Sequence, residues 1–354
     1  MIETDEQVLA RLVGEEGAKD PHVDAVFEGG GVKAIAQLGA LAAGEELGLG
    51  WNLLAGTSGG AIVAALLAAH RQQGWRYIWD VLTELDLSSV LDVAYLPNLR
   101  WLRRRYYFLL PLLPNLLRRG LFEGNELQAI LRRHLSVTQA DSTQREMTFA
   151  DFRIERKESW QSAHRLKVVA TDISRRKPVV FPDDAPEYRE YGDPNAMQVH
   201  LAVRASMSIP LLFKPVVLHE RESGRPCLLV DGGVSSNFPI WIYDRPAYAG
   251  PPHRPTFGFL LDEGASWFRI RGPLGVFWNT FHTGMGAMDR HLSPWDQERT
   301  IHIPIRGVRT TQFTLSRKQQ EELFVTGYKS ANEFFQRFNW PEHVRKYRSA
   351  GVEV

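Results

Sequence analysis

The first 70 residues alternate short apolar runs with glycine-rich turns. Residues 23–27 form an apolar, β-branched run that ends at Glu28-Gly29-Gly30-Gly31, and residues 51–55 form a second run that ends at Gly56-Thr57-Ser58-Gly59-Gly60. An alanine-rich and leucine-rich segment follows each turn, which predicts a buried helix after each of them. Strand, turn and helix in this repeated order predict the opening of a parallel α/β sheet.

Regular α/β signals stop at about residue 75 and return after residue 145. The 75–145 segment is rich in arginine and aromatic residues and is interrupted by prolines, which predicts an inserted cap. Apolar runs at 166–172 and 227–230 predict two further strands, and residues 196–208 predict a helix. Residues 256–261 fit one more strand.

These signals divide the chain into three parts. Residues 1–21 are a polar lead-in, residues 22–245 hold the α/β signals together with the cap, and residues 246–354 form a C-terminal extension. Aromatic residues recur at helical spacing near the end of the chain, which predicts the packing face of a helix. The expected fold is a three-layer α/β/α core with a mostly parallel central sheet, an inserted cap and a C-terminal extension packed on the core.

Composition narrows the class of protein. The chain has 354 residues, with 42 Lys and Arg against 41 Asp and Glu, and this near-neutral balance argues against a general nucleic-acid binder. Cys227 is the single cysteine, which excludes an internal disulfide framework and a multi-cysteine metal site. The first residues are polar and acidic, unlike a secretory signal, and no run reaches about 18 apolar residues. We therefore expect a cytoplasmic protein without a transmembrane helix.

Ser58 lies in a motif that is typical of a nucleophile. Gly56-Thr57-Ser58-Gly59-Gly60 fits the pattern G-x-S-x-G between a predicted strand and a predicted helix. A serine at so tight a turn has strained backbone angles, and side chains two residues to either side would collide. The turn places the hydroxyl at a helix N-terminus, where the helix dipole favours negative charge. The alternative is a glycine-rich turn with an N-capping serine, but the flanking strand and helix favour a nucleophile.

Gly29, Gly30 and Gly31 lie in a similar strand-to-helix turn one unit earlier. Three glycines expose backbone N–H groups, which suits an anion-binding loop or an oxyanion hole. A nucleotide loop is less favoured, because the run lacks the G-K-S/T ending of a P-loop and no acidic residue ends the next strand to hold a ribose. A structural turn is the alternative for the glycines alone, but their position one unit before Ser58 favours an oxyanion hole.

Two aspartates follow predicted strands, and either is a candidate base. Asp231 begins Asp231-Gly232-Gly233 after one apolar run, and Asp172 ends another. A carboxylate at the carboxyl end of a central strand faces the same edge of the sheet as Ser58, where α/β sites lie. Asp231 is favoured because the glycines beside it allow close approach, although Asp-Gly is also a common turn. No histidine is favoured as a base, since none lies in a glycine-rich strand-end motif.

Taken in order, these motifs resemble those of the patatin-like phospholipase family. The resemblance rests on residues 29–33, 56–60 and 231–233, with Ala170-Thr171-Asp172 and the 205–210 segment Ala-Ser-Met-Ser-Ile-Pro between them. It covers about residues 22–245. Ala34 departs from the family, which often has glycine at that position, and we expect the change to affect helix packing more than the oxyanion hole. The arginine-rich insertion and the last hundred or so residues carry none of the motifs, so they leave substrate choice open.

The resemblance implies a serine lipid acyl hydrolase that cleaves acyl esters of phospholipids or related lipids. It implies that Ser58 is the nucleophile, that Asp231 is the general base of a Ser–Asp dyad, and that the three glycines supply oxyanion N–H donors. No cofactor and no metal are implied. A Ser–Lys pair with Lys33 is a less favoured alternative. Two other functions stay open: a small-ester or thioester hydrolase with the same dyad and no membrane role, and a catalytically idle lipid-binding module.

The predicted cap holds an apolar and cationic segment. Between Asp92 and Glu123 there are six arginines and no acidic residue. The centre of this segment consists of Arg103, Arg104, Arg105, Tyr106, Tyr107 and Phe108. It is too short to span a bilayer but fits contact with a membrane surface, with arginines at lipid phosphates. A buried cap whose arginines pair with acids is the alternative, but the concentration of apolar and cationic groups in one insertion favours peripheral membrane contact.

Charge reversal at Arg103, Arg104 and Arg105 should weaken binding to anionic liposomes. A basic side chain near an anionic membrane contributes about 1 kcal/mol of attraction, so reversal of three charges should remove about 3 kcal/mol of attraction and add repulsion. Co-sedimentation with anionic and with neutral vesicles measures the loss. Unchanged binding to anionic vesicles would mean that the arginines pair within the fold instead.

Overall fold

The computed structural model describes most of the chain in several segments. These are residues 5–15, 17–84, 122–139, 142–155, 162–244, 254–264, 270, 276, 279–280, 283–284, 292–308 and 315–349. The helices within them are α1 (Asp5–Val13), α2 (Ala34–Glu46), α3 (Gly59–Ala69), α4 (Gly74–Glu84), α5 (Asn125–His134), α6 (Val199–Ser206), α7 (Pro294–Glu298), α8 (Arg317–Arg337) and α9 (Trp340–Ser349). The strands are β1 (His22–Phe27), β2 (Gly50–Thr57), β3 (Ser136–Thr138), β4 (Gln144–Glu146), β5 (Leu166–Asp172), β6 (Lys177–Phe181), β7 (Val216–His219), β8 (Pro226–Asp231), β9 (Thr256–Asp262) and β10 (Thr300–Pro304).

Eight of the described strands form one mixed sheet. Their order is β10-β9-β1-β2-β5-β8-β7, with β6 paired to β5, and β3 and β4 form a separate hairpin. The five strands from β10 to β5 run parallel, whereas β6 and β8 are antiparallel to β5 and β7 is antiparallel to β8. The α/β class with a mostly parallel central sheet is therefore confirmed.

The ends of β2 and β8 meet on one side of β5. Strand β6 pairs with residues 168–172 of β5 and so occupies its other side. Strand β2 pairs with residues 166–169 and β8 with residues 170–172, which places both of them opposite β6. Thr57 is level with Val169, and Asp231 is level with the next residue of β5. Because the two strands run towards each other, the chain that follows Thr57 begins beside Asp231.

Side chains on the two faces of the sheet enter two separate cores. Phe27, Leu54 and Val168 belong to the larger core, which the helices α2, α3 and α8 cover. Val26 and Val169 point the other way, into a smaller core that includes Phe238, Ile240 and Ile242. Strands β1 and β5, in the middle of the sheet, are buried on both faces along nearly their whole length, which explains why their sequences are mostly apolar.

Helix α8, near the end of the chain, lies directly against α2. A Cβ atom on Gly39 of α2 would lie 1.9 Å from the carbonyl oxygen of Phe324, and one on Gly327 of α8 would lie 1.7 Å from that of Ala36. Backbone therefore contacts backbone at this crossing, which only glycine allows. Residues 246–354 also supply β9 and β10, which extend the sheet beyond β1.

The predicted cap, residues 75–145, is described only near its two ends. Helix α4 packs on α2 and α3, and α5 packs on α6. Residues 85–121 lie outside the described residues, and with them lie Arg103, Arg104, Arg105, Tyr106, Tyr107 and Phe108. None of the helices in the described segments has the length and apolar character needed to cross a membrane.

Substitution of Gly327 by alanine should destabilise the fold. The added methyl group overlaps the backbone of α2, and overpacking of this kind costs about 1–3 kcal/mol. Gly284 is the matched control, because a Cβ there has no atom within 4 Å. Urea denaturation should show a lower unfolding free energy for Gly327→Ala and a change below about 1 kcal/mol for Gly284→Ala. Equal effects of the two substitutions would contradict the close crossing.

Candidate active site

Ser58 occupies a strained turn between β2 and α3. Its φ is +52° and its ψ is −125°, a conformation that residues with a side chain rarely adopt. A Cβ on Gly56 would lie 2.3 Å from the carbonyl oxygen of Gly60, and one on Gly60 would lie 2.5 Å from that of Phe27. The two outer glycines of the G-x-S-x-G motif are thus required by backbone contacts, as the steric argument from the sequence predicts.

Ser58 and Asp231 are joined by a short hydrogen bond. The Ser58 hydroxyl donates to Oδ2 of Asp231 at 2.6 Å. The other carboxylate oxygen, Oδ1, accepts the N–H of Gly233 at 2.8 Å. Both side chains are buried, at 5% and 1% exposure. The pair lies where β2 and β8 end beside β5, so Asp231 reaches the serine from an antiparallel strand rather than from a neighbouring parallel one.

Burial makes the carboxyl group of Asp231 a weaker acid than an ordinary aspartate. Desolvation raises the pKa of its carboxyl group to about 6, against the lowering effect of the hydrogen bonds from Ser58 and Gly233. A carboxylate with a raised pKa accepts a proton more readily than an exposed one. Asp231 is therefore ionised at neutral pH and still a stronger base than an ordinary aspartate.

Asp172, the rival candidate, is engaged elsewhere. Its carboxylate accepts the backbone N–H groups of Ser174 and Arg175 and the Nε–H of Arg175, the last at 2.7 Å. Burial alone would raise the pKa of Asp172, but these bonds to Arg175 hold the pKa below its usual value. It lies at the far end of β5, beyond the residue that faces Asp231. The structure thus brings Ser58 together with Asp231 and not with Asp172.

The hydroxyl of Ser206, at the end of α6, positions the backbone of Ser58. It accepts the N–H of Ser58 at 2.8 Å and donates to the carbonyl oxygen of Val169 at 2.6 Å. Two residues later, the carbonyl of Ser208 accepts the N–H of Asp231 at 2.9 Å. The end of α6 therefore holds both members of the pair. Sequence reasoning gave these serines no role, although they lie in the 205–210 segment that resembles the family.

The glycine loop lies against Ser58, but its three N–H groups differ. Gly29 donates its N–H to the carbonyl of Asn237 at 3.0 Å, so the prediction that it offers a donor to an oxyanion is wrong. Within the described residues, the N–H groups of Gly30 and Gly31 have no acceptor. A Cβ on Gly59 would lie 2.7 Å from the nitrogen of Gly31, which shows how closely this loop approaches the start of α3. The available donors are Gly30, Gly31 and the first N–H groups of α3.

Among the described residues, no other candidate base contacts Ser58 or Asp231. Lys33 is buried and forms an ion pair with Glu263 rather than with Ser58. Among the described histidines, none is bonded to Ser58 or Asp231; His200, for example, bonds to Glu146. His253, His282 and His291 lie outside the described residues. Nor does any group of three or more possible ligands occur in the described segments with a geometry that would hold a metal ion.

Comparison with known protein families identifies the family of this chain. The model of the patatin-like phospholipase family matches residues 25–243, which include every residue of the pair and of the glycine loop. The chain belongs to the patatin-like phospholipase family. Membership supports a lipase-type hydrolase, because the matched segment is the family's phospholipase domain.

The individual proteins that this patatin-like chain resembles share 30% or less of its sequence. It is 30% identical over 327 residues to the uncharacterized protein YqhO of Bacillus subtilis (strain 168), over 90% of this chain and all of that protein. Among solved structures, VipD from Legionella pneumophila matches with a TM-score of 0.49 and 17% identity, over 90% of this chain and 67% of VipD. ExoU of Pseudomonas aeruginosa, solved in complex with SpcU, matches with a TM-score of 0.45 and 18% identity, over 92% of this chain and 52% of ExoU. The chain therefore spans about half the length of ExoU.

Replacement of Asp231 by asparagine should stabilise the protein at pH 8. A carboxyl pKa raised from 3.8 to about 6 means that the buried charge opposes folding above pH 6. Two pKa units correspond to about 3 kcal/mol, so we expect a gain of roughly 1–3 kcal/mol. At a pH below about 4 the Asp231 carboxyl is protonated in both the folded and the unfolded protein, so no buried charge opposes folding. The stability gained by Asp231→Asn should therefore shrink as the pH falls from 6 towards 4.

Urea denaturation of Asp231→Asn and of the wild type between pH 4 and pH 8 measures this difference. Asp172→Asn is the control, since the pKa of Asp172 is lowered and its charge therefore favours folding. That substitution should destabilise the protein at pH 8. A loss of stability in Asp231→Asn at pH 8 would contradict the raised pKa.

Proposed function

We propose that this protein is a serine acyl hydrolase of phospholipids or related lipid esters, with Ser58 as nucleophile and Asp231 as general base. The observation that carries the proposal is the 2.6 Å hydrogen bond from the Ser58 hydroxyl to the Asp231 carboxylate. A nucleophile and a base within this distance, in a buried turn at a helix N-terminus, meet the geometric requirement for covalent catalysis. Membership of the family supports the lipid ester as substrate.

Acylation begins with proton transfer from Ser58 to Asp231. As Oγ attacks the ester carbonyl carbon, its proton passes to Oδ2 of Asp231, and the carbonyl oxygen becomes an oxyanion. The N–H groups of Gly30, Gly31 and Gly59 would stabilise that charge; one such donor is typically worth about 3 kcal/mol. When the tetrahedral intermediate collapses, the ester bond breaks and the leaving alcohol takes the proton from Asp231. The fatty acyl group remains on Ser58.

Deacylation repeats these transfers with water. Asp231, ionised again, removes a proton from a water molecule that attacks the acyl carbonyl, and Ser58 leaves with that proton as the fatty acid is released. A carboxylate is a weak base towards an alcohol or water. The raised pKa of Asp231 reduces this mismatch, and the oxyanion donors must supply much of the remaining stabilisation.

The proposed organisation assigns separate roles to parts of the chain. Residues 22–245 would form the catalytic unit, and residues 103–108 would contact the membrane that holds the substrate. This second role depends on the sequence alone, since that segment lies outside the described residues. Its arginines would bind lipid phosphates while the aromatic residues enter the interface.

Substitution of Ser58 by alanine should abolish lipid hydrolysis and labelling by a fluorophosphonate. Loss of the nucleophile should lower turnover at least about 10⁴-fold, and Asp231→Asn should lower it strongly as well. Mass spectrometry of phospholipid extracts after incubation measures the fatty acid released. Ser142→Ala is the matched control, because Ser142 is an exposed serine with a positive φ of 66°.

Assays on short-chain nitrophenyl esters, run beside the phospholipid assay, separate the alternatives. Wild-type turnover confined to short-chain nitrophenyl esters would indicate a small-ester hydrolase rather than a lipase. A wild type that neither hydrolyses any ester nor is labelled at Ser58 would contradict the proposed function and favour a lipid-binding module.

A further inference from the structure

Asn237 fastens the glycine loop at three points. Its carbonyl oxygen accepts the N–H of Gly29 at 3.0 Å. Its side-chain Nδ2 donates to the carbonyl of Gly29 at 3.2 Å and to Oε1 of Glu28 at 2.9 Å. The other carboxylate oxygen of Glu28 accepts the N–H of Leu261 at 2.5 Å. One asparagine therefore bonds both polar groups of the Gly29 backbone and the side chain of the residue before it.

The direction of the Asn237 amide is fixed by its neighbours. Both groups that face Nδ2, the Glu28 carboxylate and the Gly29 carbonyl, are acceptors, so a flipped amide would place oxygen against oxygen. A Cβ on Gly29 would lie 2.3 Å from Oδ1 of Asn237 and 3.2 Å from Cβ of Ser58. Gly29 thus has to be glycine because the Asn237 amide and Ser58 occupy the space of its side chain.

Asn237 belongs to the same short loop that begins at Asp231. After Gly232, the N–H of Ser236 bonds back to the Gly232 carbonyl at 2.9 Å. The carbonyl of Ser236 accepts the hydroxyl of Thr57, the residue before Ser58, at 3.0 Å. The loop therefore leaves the proposed base, is tied to the strand that carries the proposed nucleophile, and ends at the proposed oxyanion loop.

We propose that Asn237 is a positioning residue for the oxyanion hole, a role that rests on the proposed function. By holding both polar groups of Gly29, it sets the direction in which the next N–H groups, those of Gly30 and Gly31, point towards the substrate carbonyl oxygen. An oxyanion hole requires donors at hydrogen-bond distance from a developing charge, so a small rotation of the loop weakens transition-state binding more than substrate binding. Its proposed effect is on kcat, not on lipid affinity.

The test compares an ester with the matching thionoester, in which sulfur replaces the carbonyl oxygen. Sulfur is a weak hydrogen-bond acceptor, so a well-placed oxyanion hole accelerates the ester far more than the thionoester. Asn237→Ala should lower kcat for the ester about 10- to 100-fold with KM within about threefold, and should slow the thionoester much less. The ratio of the ester rate to the thionoester rate should therefore fall. A general loss of folded enzyme would lower both rates equally.

Two further variants complete the test. Gly29→Ala keeps the asparagine but drives its amide away from the loop, so it should lower the same ratio, and it decides the matter if Asn237→Ala does not fold. Asn52→Ala is the matched control: Nδ2 of Asn52 also donates to a carboxylate, that of Asp24 at 3.2 Å, but it lies about 20 Å along β2 from Ser58. Its ratio should equal that of the wild type.

The outcomes separate this role from the proposed function. A lower ratio in Asn237→Ala and Gly29→Ala, with an unchanged ratio in Asn52→Ala, supports the positioning role. If the wild type is active and the ratio is unchanged in both variants, the positioning role is overturned. The same holds if both variants lower the ester and thionoester rates by the same factor. Either outcome leaves the proposed function intact. A wild type that hydrolyses neither compound would overturn the proposed function, and the positioning role with it.

Discussion

The candidate site depends on two strands that end head to head against a third. Strand β2 comes from the parallel part of the sheet and β8 from its antiparallel part, and they meet at consecutive residues of β5. At such a junction the ladder of backbone hydrogen bonds is interrupted, and the polar groups left there need other partners. The Ser206 hydroxyl provides one by bridging the Ser58 N–H and the Val169 carbonyl. The interruption thereby creates the space in which Ser58 and Asp231 face each other.

The same junction concentrates unfavourable terms. Ser58 has a positive φ, and Asp231 holds a carboxylate where desolvation raises its pKa to about 6. Each of these costs free energy that surrounding packing has to offset. The dense contacts of α3 with β1, β2 and β5, and the larger core beneath them, are the structural source of that support. Strain and buried charge at one point, within an otherwise regular core, are typical of functional sites and fit the acyl transfer proposed for this protein.

Local sequence patterns were sufficient for some elements of the site and insufficient for others. Ser58 could be predicted because its turn has a steric signature within five residues. The choice of Asp231 over Asp172 was predicted from neighbouring glycines, but the direction of β8 depends on strand pairing between distant segments, which periodicity does not encode. Gly29 was predicted to donate to an oxyanion, but its N–H bonds to Asn237, and it is glycine because a side chain would not fit. A sequence does not distinguish these two reasons for a glycine. Asn237 carried no signal of its own, since its partners are 208 and 209 residues away.

The central claim is that a proton passes directly from Ser58 to Asp231. The most direct measurement is the pH dependence of the rate at which a fluorophosphonate labels Ser58 in the wild type and in Asp231→Asn. Since only the ionised carboxylate accepts the proton, the wild-type rate should rise about tenfold per pH unit up to a pKa near 6 and then level off. The variant should react slowly and without this rise. An equally steep rise in the variant, or equal rates in both proteins, would contradict the account and indicate a different base.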